Sequence, residues 1–262
     1  MVDLAKLQAA NAARWTEAKL TRSAEFAAVA HRLVAAKARY QAVEAKTGVP
    51  WWVVAVIHER ESSQRWDRSL AQGDPWNRVS THEPEGRGPF NSWEEAAIDA
   101  LVNCHPYAAH WKDWSPGGAM TLLEQYNGLG YAMRGLPSPY VWSGTNQYRA
   151  GKYVADHVFD PDVVDRQLGC AGLVLAMQAI DSSIRLGAAA PASRPEPPDI
   201  ILPPAKPPAS ATSKGVAAGG GGAAAGVAAR EAGLSPIAAI AIALGTALAI
   251  YLALHVFNRK KD

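Results

Sequence analysis

Glu61 stands at the end of an apolar segment that begins directly after Pro50. Pro50 suits the entry to a helix, where its missing N–H group has no cost, and residues 51–61 are predicted to form that helix. Glu61 lies one turn after Ile57 and two turns after Val54, so the three share one apolar face. An apolar environment and the negative end of the helix dipole both raise the pKa of a carboxyl group. A carboxyl that keeps its proton near neutral pH has the chemistry of a general acid.

Glu59 is the alternative acid, because it too has apolar neighbours one turn back and helical geometry does not separate it from Glu61. A solvated helix end with two surface glutamates is the non-catalytic interpretation of the same pattern. Residues 57–63, with the sequence IHERESS, resemble the catalytic-glutamate motif of goose-type lysozymes and soluble lytic transglycosylases, in which an apolar helix ends in Glu-Ser. The resemblance assigns the acid role to Glu61 and implies a helical, lysozyme-like fold.

A second resemblance to the same superfamily lies about 65 residues downstream, in residues 123–128. This segment is similar to the family's Ala-Tyr-Asn-Ala-Gly segment, which lines the sugar cleft. The cleft residues that the resemblance implies are Tyr126, Asn127 and Gly128. Residues 73–75 and 150–156 resemble strings of phage and prophage lysozyme-like endolysins, so the similarity extends over roughly residues 45–180.

Cleavage of a glycosidic bond needs a second carboxylate besides the acid, or help from the substrate itself. Asp74 is the best-placed partner for Glu61, because it follows 13 residues later in a loop rich in Gly and Pro. A turn-forming Asp before Pro75 is the structural alternative, and Asp67 is a weaker candidate. Without a facing carboxylate, the acetamido group of the sugar assists, and lytic transglycosylation then leaves an anhydro-sugar product.

The family's Gly-Leu-Met-Gln segment is missing after the glutamate, and residues 84–90 occupy the corresponding loop. The sugar contacts which that segment makes in the family are therefore not carried over to this chain. Aromatic faces suit the apolar side of a pyranose ring. The candidates for sugar stacking are Trp66, Trp76 and Tyr131, each of which is otherwise a core or rim aromatic.

The elements that must position these residues are predicted to be mainly α-helical. Apolar residues recur at helical spacing from Leu4 to about Lys46, which predicts two or three helices with a break near 21–23, where Ser23 caps the next helix. Residues 62–92 are rich in Gly, Pro, Asp, Asn and Ser and are predicted to form a long functional loop. Further helices are predicted at 93–103, 118–128, 147–156 and 161–184. No long alternating strand pattern occurs.

The end of the chain differs in composition from the rest. All nine tryptophans lie between Trp15 and Trp142, so residues 1–187 are predicted to form the catalytic domain, with N-terminal helices in 1–46 and a core with the cleft in 47–187. Residues 188–235 are rich in Pro, Gly and Ala, which predicts a disordered linker.

Residues 236–258 are predicted to form one transmembrane helix, followed by a basic tail at 259–262. Residues 237–257 contain no Asp, Glu, Lys or Arg and would span about 30 Å as a helix, so their expected partner is a lipid bilayer. The positive-inside rule places the tail in the cytoplasm and the catalytic domain on the cell-wall side of an inner membrane. Because the N-terminus lacks a secretory signal, the alternative is a domain held in the cytoplasm until lysis.

Several other classes of function are excluded by composition. The 26 basic and 24 acidic residues form no basic stripe, which argues against nucleic-acid binding. No metal-binding motif surrounds the seven histidines, so neither a metal nor another cofactor is expected. Cys104 has a neighbour, His105, but residues adjacent in sequence rarely face one another, which argues against a thiol peptidase. Cys104 and Cys170 are either a disulfide or two buried thiols.

The sequence therefore predicts cleavage of bacterial peptidoglycan at the MurNAc–GlcNAc β-1,4 bond, by a muramidase or a lytic transglycosylase with Glu61 as general acid. The setting that the resemblance implies is that of a phage or prophage endolysin or another cell-wall-degrading protein. The alternative is a membrane-anchored, non-catalytic glycan-binding or structural protein with a lysozyme-like fold.

Overall fold

The computed structural model describes residues 2–71, 73–82, 84–155 and 158–187, and this part of the chain is mainly helical. A short antiparallel hairpin and a 3₁₀ turn at Ala108–His110 complete it. The helices are α1 (Leu4–Glu17), α2 (Ser23–Ala35), α3 (Lys37–Thr47), α4 (Trp51–Ser62), α5 (Trp93–Val102), α6 (Pro116–Asn127), α7 (Gly130–Met133), α8 (Pro139–Trp142) and α9 (Cys170–Ile180). The strands are β1 (Lys152–Ala155) and β2 (Val158–Asp160).

Helix α4 is the centre of the core. Eleven of its twelve residues are buried, and Glu59 is the exception. A helix that is apolar on all sides is stable only when other elements surround it, and α2, α3 and α9 pack against this one. The last helical residue is Ser62. Ser63 follows as the C-cap, and its φ of 55° places it in the left-handed region. Glu61 is therefore carried into the interior by the most enclosed element of the fold.

Small residues allow the outer helices to approach closely. Helix α1 packs on the start of α6 at Gly117, where a Cβ atom would lie 2.5 Å from the Gln8 carbonyl oxygen. Helix α2 packs on α9 at Gly172, where a Cβ atom would lie 2.3 Å from the Phe26 ring. Both distances are shorter than van der Waals contact, so glycine is required at both helix crossings.

The predicted helices over 51–61, 93–103 and 118–128 are confirmed as α4, α5 and α6, with ends that differ by one or two residues. The N-terminal region contains three helices, where two or three are predicted. The expectation that Ser23 caps the second of them is wrong, because Ser23 is its first helical residue and Arg22 is the cap, without a side-chain bond.

The predicted helix over 147–156 is also wrong, since β1 occupies its second half. Gly151, with φ of 104°, breaks the helical path, and Tyr153 and the β-branched Val154 then favour an extended strand. The predicted helix over 161–184 is shortened to α9, which starts only after Gly169. The described residues of 63–92 contain no helix or strand, in agreement with the predicted loop.

Two further predictions concern the tail and the cysteines. Residues 188–262 lie outside the described part of the chain, and so do the predicted linker, the transmembrane helix at 236–258 and the basic tail. Among the described helices, none combines the length and apolarity that a membrane crossing needs.

Cys104 and Cys170 are both buried free thiols, which decides against a disulfide between them.

Candidate active site around Glu61

Glu61 is fully buried in the last turn of α4, where its Oε1 atom accepts a hydrogen bond of 2.8 Å from the Tyr140 hydroxyl. Glu59 lies on another side of the helix, with its carboxylate 3.6 Å from the guanidinium of Arg32 on α2. Burial raises the pKa of Glu59, while Arg32 and Arg60 oppose that rise. The two glutamates that sequence geometry did not separate therefore face different elements of the fold.

Tyr140 is a member of this site that the sequence did not indicate. It belongs to the four-residue helix α8 and is fully buried. Burial holds the pKa of Tyr140 well above its usual value, so the hydroxyl stays protonated and serves as a donor. The only local signal was the Ser138-Pro139 helix start, which carries no chemical information.

A buried ionic cluster lies behind Tyr140. The Arg60 guanidinium carbon lies 4.7 Å from the Tyr140 ring centroid, and Arg60 pairs with Asp165 at 3.2 Å. Lys152 of β1 pairs with the other oxygen of Asp165 at 2.9 Å. Although burial raises the pKa of Asp165, the two cations together hold it below its usual range. The hairpin is thus connected through Asp165 to the end of α4 that carries Glu61.

The Tyr-Asn-Gly segment lies at the end of α6, close to the same residues. Tyr126 and Asn127 are buried, and the Tyr126 hydroxyl donates to the Leu70 carbonyl at 3.1 Å. Helix α6 also packs against α8, the helix that carries Tyr140. Gly128 ends the helix with a φ of 97°, a conformation that suits glycine.

The loop that follows α4 passes close to the backbone of Glu61 at Gly73. A Cβ atom at Gly73, whose φ is 69°, would lie 3.7 Å from the Glu61 carbonyl oxygen. Together with the bond between Tyr126 and Leu70, this contact places the loop between the ends of α4 and α6. The structure therefore brings Glu61, Tyr140, Tyr126 and the start of the loop into one region.

Asp74 lies in that loop with its carboxylate engaged by the loop itself. Its Oδ2 atom accepts hydrogen bonds from the Thr81 and His82 amides at 2.9 and 3.2 Å, and its Oδ1 atom lies 2.7 Å from the His82 Nδ1 atom. These bonds fit the turn-forming role considered for this residue. Asp67 is exposed, and a hydrogen bond from Arg65 lowers its pKa.

The three aromatic candidates have different surroundings. The Arg39 guanidinium carbon lies 3.9 Å from the Trp66 ring centroid, so part of this ring is covered. Trp76 is half-buried and donates from Nε1 to the Trp66 carbonyl at 2.8 Å. Tyr131 is 2% exposed, and its ring packs against Tyr153 of the hairpin at 5.2 Å between centroids. Stacking on a sugar requires an open face, which Tyr131 does not have here.

No group of three or more His, Cys, Asp or Glu side chains within the described ranges is arranged to hold a metal ion. Comparison of the chain with protein-family models, with curated proteins and with solved structures gave no match.

Proposed function

We propose that this protein cleaves peptidoglycan glycan strands at the MurNAc–GlcNAc β-1,4 bond, with Glu61 as the general acid. The observation that carries the proposal is the buried Glu61 carboxyl, held by the Tyr140 hydroxyl beside the end of α6. Removal of a carboxyl from water favours its protonated form, as donation to a leaving oxygen requires. The resemblance of residues 57–63 and 123–128 to lysozyme-like motifs supports the same assignment.

In the proposed first step, Glu61 donates its proton to the glycosidic oxygen as the bond from that oxygen to C1 of MurNAc breaks. The GlcNAc fragment leaves with a free 4-hydroxyl group, and positive charge develops at C1. Tyr140 holds one oxygen of the resulting carboxylate, which limits its rotation during the transfer. In the second step Glu61 takes back a proton from the nucleophile that attacks C1.

The identity of that nucleophile determines the product. A water molecule gives a reducing end, whereas the 6-hydroxyl of the same sugar gives a 1,6-anhydro end. The bonds of Asp74 to Thr81 and His82 favour the second route, because an aspartate engaged in its own loop is less suited to support an attacking water. We therefore propose lytic transglycosylation, assisted by the acetamido group of the substrate, ahead of hydrolysis.

The experiment is digestion of purified sacculi by the full chain in a mild detergent, with mass spectrometry of the released fragments. Glu61→Gln is expected to lower the release by at least about 100-fold, the lower range for general acid catalysis. Glu59→Gln is the matched control, and we expect it to retain most of the activity because Glu59 faces Arg32. Equal losses in the two variants would contradict the assignment.

A second candidate function is non-catalytic glycan binding, and the complete burial of Glu61 favours it. A general acid must touch the polymer, so an enclosed carboxyl has to become accessible before it acts. Sacculi that bind the wild-type chain without any soluble fragment would establish this alternative and overturn the proposal of an enzyme.

For the biological setting we propose a phage or prophage cell-wall lysis protein tethered to the bacterial inner membrane through residues 236–258. Protease added to cells with a permeabilised outer membrane tests the orientation. Digestion of the N-terminal domain in intact spheroplasts supports a domain that faces the cell wall. Digestion only after disruption of the inner membrane supports a domain held in the cytoplasm until lysis.

A further inference from the structure

A groove of about 460 Å³ lies between α1 and the segment that contains α7, apart from the region around Glu61. Its apolar part is formed by small and aliphatic side chains, and one acid and two bases complete it. The aliphatic and small residues are Val2, Leu7, Ala10, Ala132, Met133, Gly135 and Leu136, and the charged residues are Asp3, Lys6 and Arg14.

Large apolar side chains are exposed at this surface. Met133 is 65% exposed and Leu136 is 37% exposed, although both line the groove. Leu4, in the first turn of α1, is also 37% exposed. Apolar side chains grouped on the surface of a protein mark an interaction site more often than single exposed ones do.

Two cations accompany these apolar groups. Lys6 and Arg14 form no ion pair with any carboxylate in the described part of the chain. The Arg14 guanidinium donates one hydrogen bond, to the neutral Asn11 Oδ1 atom at 3.2 Å, and so keeps its positive charge unneutralised. They are separated by about 12 Å along α1, at about 1.5 Å per residue. The one acid of the groove, Asp3, accepts a hydrogen bond from the Lys6 amide at 3.1 Å and so caps the helix. The groove is therefore apolar, open and net positive.

We propose that this surface docks on an anionic phospholipid bilayer, with Lys6 and Arg14 at the headgroup phosphates and Met133 and Leu136 in the interfacial region. Lys and Arg keep their charge at the headgroups while apolar neighbours reach the acyl chains. This contact is separate from glycan cleavage and from the predicted span at 236–258, and it would hold the folded domain against the membrane surface.

An extended acidic peptide fits the groove less well. A bound peptide needs backbone partners, and the amides of residues 133–136 all donate within their own turn. Met133, Arg134, Gly135 and Leu136 donate to the carbonyls of Leu129, Tyr131, Ala132 and Tyr131, at distances of 3.0 Å. The segment thus offers no strand edge for peptide addition. A bilayer requires no such partners, since phosphates bind the cations and acyl chains contact the apolar side chains.

The test uses the full chain reconstituted into vesicles, with a polarity-sensitive bimane label at Met133→Cys. Selective labelling is feasible because Cys104 and Cys170 are 5% and 0% exposed. In vesicles with 30% phosphatidylglycerol we expect a blue-shifted emission and at least about twofold less iodide quenching than in pure phosphatidylcholine. The same label at Val164→Cys, a site 53% exposed and outside the groove, should give equal signals in both lipids.

Lys6→Glu in the labelled Met133→Cys chain should remove most of the difference between the two lipids. A single base near an anionic surface changes partitioning about fivefold, and a charge reversal changes it more. Unchanged far-ultraviolet circular dichroism shows that the variant is folded. Three outcomes overturn the proposal: equal emission of the Met133 label in both vesicle types, an equal shift at Val164, or a blue shift produced by soluble polyglutamate without anionic lipid.

Discussion

Tyr140 and Glu61 illustrate how a single hydrogen bond, at the scale of residues, gives a carboxyl a defined orientation. The Tyr140 hydroxyl donates to the Glu61 Oε1 atom at 2.8 Å, and both side chains are fully buried. The ring of Tyr140 is itself held against Arg60, which pairs with Asp165. In the proposed reaction Tyr140 is a positioning residue, because its phenol would act only through the carboxyl of Glu61.

Tyr140→Phe tests this role. The substitution keeps the ring over Arg60 and removes only the hydroxyl, so the fold should be retained. We expect kcat on sacculi to fall about 10- to 100-fold, which corresponds to the loss of a hydrogen bond to a charged group at about 1.5–3 kcal/mol. KM should change less than about twofold. A drop in the melting temperature without any change in kcat would assign Tyr140 to the core alone.

Glu124 is a second buried carboxyl, and its effect is on stability. Its Oε2 atom accepts a hydrogen bond from Asn11 of α1 at 3.3 Å, and burial raises its pKa from 4.5 to about 7. The folded state therefore binds this proton more tightly than the unfolded state does. The stabilisation is complete below pH 4.5, decreases between 4.5 and 7, and is absent at higher pH.

Glu124→Gln should remove this pH dependence. Gln keeps an oxygen that can accept from Asn11 but does not ionise. From pH 5 to pH 8, the free energy of unfolding of the wild type should fall by about 2–3 kcal/mol more than that of the variant, because each pKa unit of the shift corresponds to about 1.4 kcal/mol. Urea denaturation at both pH values measures the difference. Parallel pH curves for the two proteins would show that Glu124 titrates alike in the folded and unfolded states.

At the scale of elements, the crossing of α1 and α6 depends on the absence of a side chain at Gly117. A Cβ atom there would lie 2.5 Å from a backbone oxygen, which cannot move aside as a side chain can. Gly117→Ala should therefore lower the free energy of unfolding by about 1–3 kcal/mol, despite the higher helix propensity of alanine. Ala9→Ser, on the exposed face of α1, should change it by less than about 0.7 kcal/mol. Urea denaturation of both variants separates the steric effect at the helix crossing from the effect of helix propensity.

The elements also show how far the sequence predicts this structure. Helices α4, α5 and α6 have ten to twelve residues each, and their positions agree with the prediction. Their continuous stretches without an internal proline made them recognisable in the sequence. The hairpin was not predicted, because Gly151 and the ion pair between Lys152 and Asp165 involve conformations and partners that local spacing does not reveal. Tyr140 was missed for a related reason, since α8 has only four residues and therefore no periodicity. The buried position of Glu61 followed from its place on an apolar face, whereas its hydrogen-bond donor comes from 79 residues away.

At the scale of the whole molecule, the buried residues of the described chain lie between Leu7 and Ile184. The hydrophobic core of the described residues runs from Phe26 to Ile184. The catalytic domain over residues 1–187 stays a prediction, because the residues after 187 lie outside the described part of the chain. If residues 236–258 provide the tether, the full chain should stay with the membrane pellet during extraction with alkaline carbonate, whereas a chain that ends at residue 187 should be released into the supernatant. Extraction of the full-chain pellet with alkaline carbonate separates integral anchoring, which resists it, from surface docking alone. A soluble full chain would contradict both forms of membrane contact.

If Glu61 is the general acid, as proposed, its enclosure makes the rate of catalysis depend on how often the sugar can reach the carboxyl. Because the carboxyl is fully covered, cleavage can occur only during the fraction of time in which its neighbours separate enough to admit a sugar. That fraction multiplies the intrinsic rate, so a protein with a competent acid can still be slow at rest. Any event that widens this region would then set when the proposed cleavage occurs, without a change in the acid itself.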